Sequence, residues 1–222
     1  MKTLSLKHML QDQMVDGQLP LQVAVTITAL PGEQIAIIDD LLDCAPEASA
    51  VKHAVTIAAQ ENSTVTYQLR AVEDCRQTAV EKNITISLVG AGANVDVRAA
   101  CLTRDSQHIK FNTLQDHVVG DSTSNVLIKA ICDDTSRLSC NSMIRIHKGA
   151  QGSNAEQANK NILLSKKARA VSIPQLEIEA NDVRCKHGAA VSTINDDHLF
   201  YLQSRGLSVP QAQAMLIEGF LQ

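Results

Sequence analysis

Two residues near the C-terminal end of the sequence, Cys185 and His187, have side chains that could bind a transition metal. They lie two positions apart in a stretch that alternates like a β-strand, so both leave the same face as Val183. A thiolate beside an imidazole suits iron or zinc, and it also suits persulfide chemistry. Two ligands do not complete a site, so the others must come from neighbouring strands or another chain. The alternative is structural: a buried cysteine and a hydrogen-bonded histidine that end an apolar row.

The elements that must position this pair are short strands, which follow one another from residue 22 to residue 187. Alternating apolar and polar residues predict half-buried strands at Val23–Ile27, Val65–Leu69, Ile84–Leu88, Val95–Val97, Ile109–Phe111, Val126–Cys132, Ile144–Ile146 and Leu176–Ala180. The most closely spaced of these strands start roughly 10 to 15 residues apart, and Gly, Asn, Asp and Ser are frequent in the connectors. Because no helix-length amphipathic segment separates the strands, the pattern argues against a doubly wound α/β sheet.

The strand pattern leaves two all-β architectures open, a β-sandwich and a parallel β-solenoid. The solenoid is favoured because Asn-Gly hairpin signals are absent and the candidate interior residues are small. Hydrophobic residues make up 45% of the chain but aromatic residues only 2%, so Val, Ile, Leu and Ala must build the core. Such side chains suit a narrow interior. The scarcity of aromatic rings also argues against a polysaccharide-binding groove and a base-stacking platform.

Charge and hydropathy exclude several classes of partner. The formal net charge is −4, which argues against a nucleic-acid or anionic-membrane surface. The sequence shows neither a membrane-spanning apolar run nor a signal peptide, so we expect a cytoplasmic protein. In that reducing compartment the six cysteines, none in a Cys-x-x-Cys motif, are expected to be thiols that are mostly buried: Cys44, Cys75, Cys101, Cys132, Cys140 and Cys185.

No common catalytic motif occurs in the sequence. It has no Gly-x-Ser-x-Gly elbow, phosphate loop, dinucleotide fingerprint or His-Glu-x-x-His helix, which removes the common catalytic routes but does not exclude catalysis. His117 precedes a glycine turn and His108 follows Gln107, and both are interpreted as polar corner residues rather than ligands. Glu177 and Glu179 share the outer face of their strand and are interpreted as a solvated pair rather than an acid–base couple.

The sequence divides into residues 1–20, which fit either a short helix or an edge strand, a β-rich core at residues 21–194, and a pair of helices at residues 195–222. Asn195 is a helix N-cap, Gly206 a C-cap, and Ser208 begins a Ser-x-x-Gln capping box. The second helix has an apolar stripe formed by Ala212, Met215, Leu216 and Phe220. That stripe either caps the end of the solenoid or docks a partner.

Several segments of the sequence resemble one family. They are Asn161–Ser165, Pro174–Ile178, Asp182–Ala189, Leu199–Gly206 and Glu218–Phe220, with weaker matches at Leu88–Ala93, Asp116–His117 and Ser124–Lys129. These segments are similar to the SufB/SufD family of iron–sulfur cluster assembly proteins. Ala168 stands where SufB-like chains carry a cysteine, and Gly188 where they carry Glu. The Cys-x-His-Gly order is SufD-like, and Ala190 and Ser192 depart from the usual Thr and Gly of the family.

The resemblance implies a fold, a role and partners. The family has a right-handed parallel β-helix and a helical C-terminal region that docks the SufC ATPase. The resemblance implies a non-catalytic, SufD-like subunit that supports iron entry. The family's functional histidine would be His187, and iron or a cluster would bind only transiently near Cys185. The ATPase would dock on Phe200, Tyr201 and the Arg205–Gly206 helix end. The second subunit would be a SufB-like chain or an identical one. Two alternatives to this assembly role are a purely structural β-helix dimer and, less favoured, a β-solenoid enzyme acting on polysaccharide.

Overall fold

The computed structural model describes residues 1–44, 49–71 and 77–222, apart from the side chains of Asp43 and Cys44. The strands are β1 Lys2–Ser5, β2 Gln22–Ala29, β3 Gln34–Asp39, β4 Ala50–Ala59, β5 Thr64–Ala71, β6 Ala79–Leu88, β7 Asn94–Thr103, β8 His108–His117, β9 Thr123–Cys132, β10 Arg137–Ile146, β11 Asn154–Leu163, β12 Arg169–Ile178 and β13 Arg184–Thr193. The helices are α1 Leu6–Met9, α2 Asp196–Ser204 and α3 Val209–Leu221, with 3-10 helices at Gln11–Gln13 and Leu41–Cys44.

The strands form two parallel sheets that are built alternately along the chain. Odd-numbered strands make a seven-stranded sheet and even-numbered strands a six-stranded sheet. Asn94 of β7 pairs with Thr64 of β5, 30 residues earlier, and with Thr123 of β9, 29 residues later. The chain therefore completes one turn with every two strands, which is the parallel β-solenoid that the sequence favoured. Hairpin pairing, which a sandwich requires, does not occur between the named strands that the structure describes.

The core fills the narrow space between the two sheets. Alternate residues of each strand face inward, as in β6, where Val80, Ile84, Ile86 and Leu88 are buried. Aliphatic side chains account for most of this interior, as predicted from the composition. Strands β3, β4 and β11 were not predicted from the sequence, and β12 ends at Ile178 rather than at the predicted Ala180.

Sharp corners connect the strands and stack from turn to turn. Gly92, Asp121 and Gly152 all have positive φ angles, of 70°, 54° and 73°. The amide of Gly92 donates to the Asp121 carbonyl at 3.0 Å, and the amide of Asp121 donates to the carbonyl of Gln151 at 2.8 Å. Gly and Asp tolerate the left-handed backbone at low cost, which explains their frequency in the connectors.

The first 20 residues cover one end of the solenoid. They contain both of the predicted alternatives, because β1 adds an edge strand beside β3 and α1 follows it directly. Leu6, Leu10 and Leu19 are buried and join the main core. These side chains close the N-terminal end of the interior.

The two C-terminal helices begin and end as the sequence predicted. Asn195 accepts hydrogen bonds from the amides of Asp197 and His198, and Ser208 and Gln211 form the capping box of α3. Of the two roles considered for the apolar stripe of α3, capping the end of the solenoid is not what the structure shows, because the helix packs on the outer face of the seven-stranded sheet. Its residues Ile217, Phe220 and Leu221 contact Leu102 of β7, Ile131 of β9, Ile162 of β11 and their neighbours. Met215 of the predicted stripe remains exposed.

Candidate functional site

Cys185 and His187 lie on β13, the last strand of the seven-stranded sheet. Among the described strands β13 pairs only with β11, which places Cys185 beside Ala155 and His187 beside Gln157. The predicted side-chain alternation holds, because Val183 and Cys185 pack together against the buried Ile144, Ile146 and Ala155. His187 follows on the same row of the strand and is exposed.

The donor set at this position consists of one thiol and one imidazole. Partial burial raises the pKa of the Cys185 thiol, so at neutral pH the sulfur keeps its proton unless a metal ion displaces it. Among the residues that the structure describes, no group of three or more His, Cys, Asp and Glu side chains could hold a metal ion. The pair can therefore bind soft metal only if further ligands come from outside this chain's described residues.

The C-terminal end of the solenoid is open where β12 and β13 form the last turn. Leu176 and Ile178 of β12 and Val191 of β13 belong to inward-facing rows, yet each is between 41% and 49% exposed. Val171 and Ile173 on the other face of β12 are exposed as well. An unpaired strand edge beside exposed apolar side chains is a surface on which another chain can add strands.

The predicted ATPase-docking residues cluster on α2 and at its C-terminal end. Phe200 is 74% exposed and Tyr201 is 56% exposed. The guanidinium of Arg205 lies 5.3 Å from the centre of the Tyr201 ring, which is a cation–π contact. Gly206 follows with a φ of 92°, which lets the chain leave the helix sharply. These residues form an exposed apolar and cationic patch.

The interpretation of His117 as a corner residue is wrong. Its ring is buried inside the solenoid and lies 2.8 Å from the Ser122 Oγ through Nδ1 and 2.7 Å from the Ser124 Oγ through Nε2. Burial lowers the pKa of His117 from 6.5 to about 4, so the ring is neutral at physiological pH. His108, by contrast, is exposed at the start of β8 and lies 3.2 Å from the Ser139 hydroxyl.

A charged cluster inside the first turns was missed from the sequence. Lys82 forms a fully buried ion pair with Asp39, and the Tyr67 hydroxyl donates to the same carboxylate. Burial lowers the pKa of Lys82 and raises that of Tyr67. His53 lies beside Lys82 in the parallel register, and burial together with the Lys82 charge lowers its pKa to about 4. The sequence did contain a signal for this cluster, because Lys82 lies two positions before Ile84 and therefore on the inward face of the same strand.

The remaining described cysteines support the prediction that most are buried. Cys101, Cys132 and Cys140 all lie inside the solenoid. Burial raises the pKa of Cys140 to about 12 and also raises that of Cys132, so both are inert thiols at neutral pH. The predictions for Cys44 and Cys75 lie outside the described side chains.

The carboxylates interpreted as a solvated pair are both exposed. Glu177 accepts a hydrogen bond from the Arg145 Nε at 3.0 Å on the outer face of the six-stranded sheet. Within the described residues, no helix is long and apolar enough to cross a membrane.

Comparison with known proteins gives consistent matches. A sequence model described as "SUF system FeS cluster assembly, SufBD core domain" matches residues 74–220. The chain is 33% identical over 138 residues to the iron-sulfur cluster assembly protein SufD of Escherichia coli (strain K12), a match covering 62% of this chain and 33% of SufD. It is 35% identical over 149 residues to an iron-sulfur cluster assembly SufBD family protein of Mycobacterium leprae (strain TN), covering 64% of this chain and 38% of the relative.

A third relative is an iron-sulfur cluster assembly SufBD family protein of Synechocystis sp. (strain ATCC 27184 / PCC 6803 / Kazusa), which is 40% identical over 97 residues. That match covers 44% of this chain and 21% of the relative. The chain thus spans well under two thirds of the length of each of these curated relatives.

Proposed function

Because this chain belongs to the SufB/SufD family of iron–sulfur cluster assembly proteins and is similar to SufD, we propose that it is a SufD-like subunit of a SUF-type assembly complex. In this proposal the subunit supports the entry of iron and docks an ATPase. Iron or a nascent cluster is its transient cargo rather than a resident cofactor. The protein is cytoplasmic and performs no catalytic step of its own.

One observation carries the proposal: Cys185 and His187 lie on the strand that ends the solenoid. A thiolate and an imidazole supply two of the four ligands that a tetrahedral iron site needs. The unpaired edge of β13 leaves room for a second chain to bring the others. A site shared between two chains suits transient cargo, because separation or rotation of the chains breaks half of the ligand set.

The second chain is either a SufB-like protein or an identical copy. Strands added beside β12 and β13 would cover the exposed Leu176, Ile178 and Val191 and would extend both sheets across the interface. Burying apolar side chains and pairing free backbone groups both favour association. A purely structural dimer would use the same surface but would not need Cys185 or His187.

The ATPase, an ABC-type protein similar to SufC, would dock on the patch of Phe200, Tyr201, Arg205 and Gly206. An aromatic side chain as exposed as Phe200 is uncommon on a surface without a partner, and aromatic and arginine side chains dominate the energetics of protein interfaces. Because α2 contacts α3, which packs on the seven-stranded sheet, movement of the docked ATPase would be transmitted to that sheet.

The test of iron entry compares His187→Ala with His8→Ala, which removes an exposed histidine near the opposite end of the solenoid. Both variants should unfold at the wild-type temperature. In an anaerobic reconstitution with a SufB-like chain and a SufC-like ATPase, His187→Ala should lower cluster yield several-fold and His8→Ala should not. An unchanged yield with His187→Ala would assign that residue a structural role and remove the main support for the proposal.

The test of docking compares Phe200→Ala with Met215→Ala, since both replace an exposed apolar side chain on a C-terminal helix. Phe200→Ala should weaken co-purification with the SufC-like ATPase at least tenfold, whereas Met215→Ala should have little effect. Equal retention of the ATPase by both variants would show that α2 is not the docking surface.

A further inference from the structure

The interior of the solenoid changes from apolar to polar along its length. In the six-stranded sheet, Ile84 of β6 is followed in register by Thr113 of β8 and Ser142 of β10. In the seven-stranded sheet, Val126 and its inward-facing neighbours on β9 are replaced on β11 by polar side chains. Those replacements are Gln157, Asn159 and Asn161.

The polar side chains of this region are buried, yet they present unpaired oxygen atoms. Six of these atoms have no hydrogen-bond partner among the described residues: Thr113 Oγ1, Gln115 Oε1, Ser142 Oγ, Gln157 Oε1, Asn159 Oδ1 and Asn161 Oδ1. None of the six residues is more than 4% exposed. They come from β8 and β10 of the six-stranded sheet and from β11 of the seven-stranded sheet, so both sheets contribute unpaired oxygens to the interior.

Contacts with neighbouring groups determine the orientation of three of the amides. The Nδ2 atoms of Asn159 and Asn161 donate to the Ser172 hydroxyl at 2.8 and 3.4 Å, which leaves each Oδ1 unpaired. The Nε2 of Gln115 donates to the Ser124 hydroxyl at 2.8 Å and to the Glu156 carbonyl at 3.3 Å. The unpaired oxygens are therefore a consequence of how the amide nitrogens are held.

We propose that the interior between β8, β10 and β11 is a chamber filled with ordered water molecules that donate hydrogen bonds to these six oxygens. A buried polar atom without a partner is costly, and six of them in one region are incompatible with a dry interior. Water is the occupant that fits, because buried waters bind where two to four polar partners converge. No carboxylate contributes to the six-oxygen set, and a divalent cation would require such charge.

One of the six residues, Gln157, lies beside the exposed His187 in the register of β11 and β13, next to the open end of the solenoid. The inference does not rest on the proposed function, because it uses only buried atoms and their missing partners. It would stand if His187 had no role in cluster assembly.

The first test asks whether the substitution Thr113→Val lowers or raises the unfolding temperature. In Thr113→Val the hydroxyl is replaced by a methyl group of similar size. If water occupies the chamber, the variant loses a hydrogen bond and unfolds at a lower temperature than the wild type. If the chamber is dry, removing an unsatisfied hydroxyl raises the unfolding temperature and overturns the proposal. Thr103→Val is the matched control, because the buried Thr103 hydroxyl donates to the Ile131 carbonyl and its loss must be destabilising.

The second test locates the occupant directly in a crystal structure of the full chain at high resolution. Ordered water within hydrogen-bond distance of Gln157 Oε1, Asn159 Oδ1 and Ser142 Oγ is the expected result. Absence of density there would overturn the proposal whatever the unfolding temperatures show. A single peak that becomes anomalous when K⁺ is replaced by Rb⁺ would also overturn it, by identifying a monovalent cation site.

Discussion

His187 is exposed although the residue beside it in the previous turn, Gln157, is only 2% exposed. The two side chains occupy the same inward-facing row of neighbouring parallel strands, so a single turn of the solenoid separates a buried position from an open one. This inward-facing row becomes exposed at β13, because no further described strand follows β13 in the seven-stranded sheet. A subunit that continued the sheet beyond β13 would bury His187 as Gln157 is buried.

The open end should support association through its apolar side chains. Val191→Glu places a charge on the inward-facing row of β13, and burying that charge at an interface would be costly. We expect the variant to be monomeric under conditions in which the wild type, alone or with a SufB-like chain, forms a dimer by light scattering. Val118→Glu, which alters an exposed valine after β8, should leave the dimer intact. Dimer formation by both variants would place the interface elsewhere.

The buried ion pair between Lys82 and Asp39 should be sensitive to loss of one partner. Lys82→Met leaves the Asp39 carboxylate buried without its counter-charge, and we expect the free energy of unfolding to fall by about 3 to 5 kcal/mol. Lys52→Met breaks the exposed pair with Glu81 at 3.3 Å and should cost at most about 1 kcal/mol. Urea denaturation measures both values. Equal costs would contradict the assignment of Lys82 to the interior.

The buried His117 should make stability depend on pH. Its pKa is lowered from 6.5 to about 4, so the unfolded chain takes up a proton before the folded chain does. The contribution of His117 to the free energy of unfolding is therefore fully present above about pH 6.5 and is lost as the pH falls towards 4. At pH 5 the free energy of unfolding should be lower by about 2 kcal/mol than at neutral pH from this residue alone. His117→Gln removes this group and should lose correspondingly less stability between about pH 7.5 and pH 5 in urea titrations.

His53, whose pKa is lowered to about 4 as well, stays in the His117→Gln variant and should account for much of the remaining slope. A wild-type slope equal to that of His117→Gln would mean that the His117 ring is accessible to protons in the folded state.

The stacked corners should tolerate a methyl group at some glycines but not at others. A Cβ at Gly90 would lie 2.0 Å from the backbone nitrogen of Glu61 in the preceding turn, so the two turns must move apart. We expect Gly90→Ala to lower the free energy of unfolding by about 1 to 3 kcal/mol. Gly149 has no neighbour within 4 Å of such a Cβ, and Gly149→Ala should have little effect. Thermal denaturation of the two variants provides the comparison.

Local patterns in the sequence determined several strands with apolar inward rows, such as β6 and β9, together with the caps at Asn195 and Ser208. These features depend on neighbours within a few residues. Strand β11 could not be predicted in the same way, because its inward residues Gln157, Asn159 and Asn161 are polar and the sequence therefore shows no alternation of apolar and polar residues. Alternation indicates a strand only where the buried side chains are apolar.

The sequence by itself also determined that Cys185 and His187 share a face, because strand geometry places residues two positions apart on the same side. Only the tertiary structure decided that this face lies at an open end, that His117 and Lys82 point inward, and that α3 packs on a sheet face. These features depend on contacts between residues that are distant in the sequence, such as His53 and Lys82, which lie 29 positions apart. Without a visible repeat, one chain does not reveal which distant residues become neighbours.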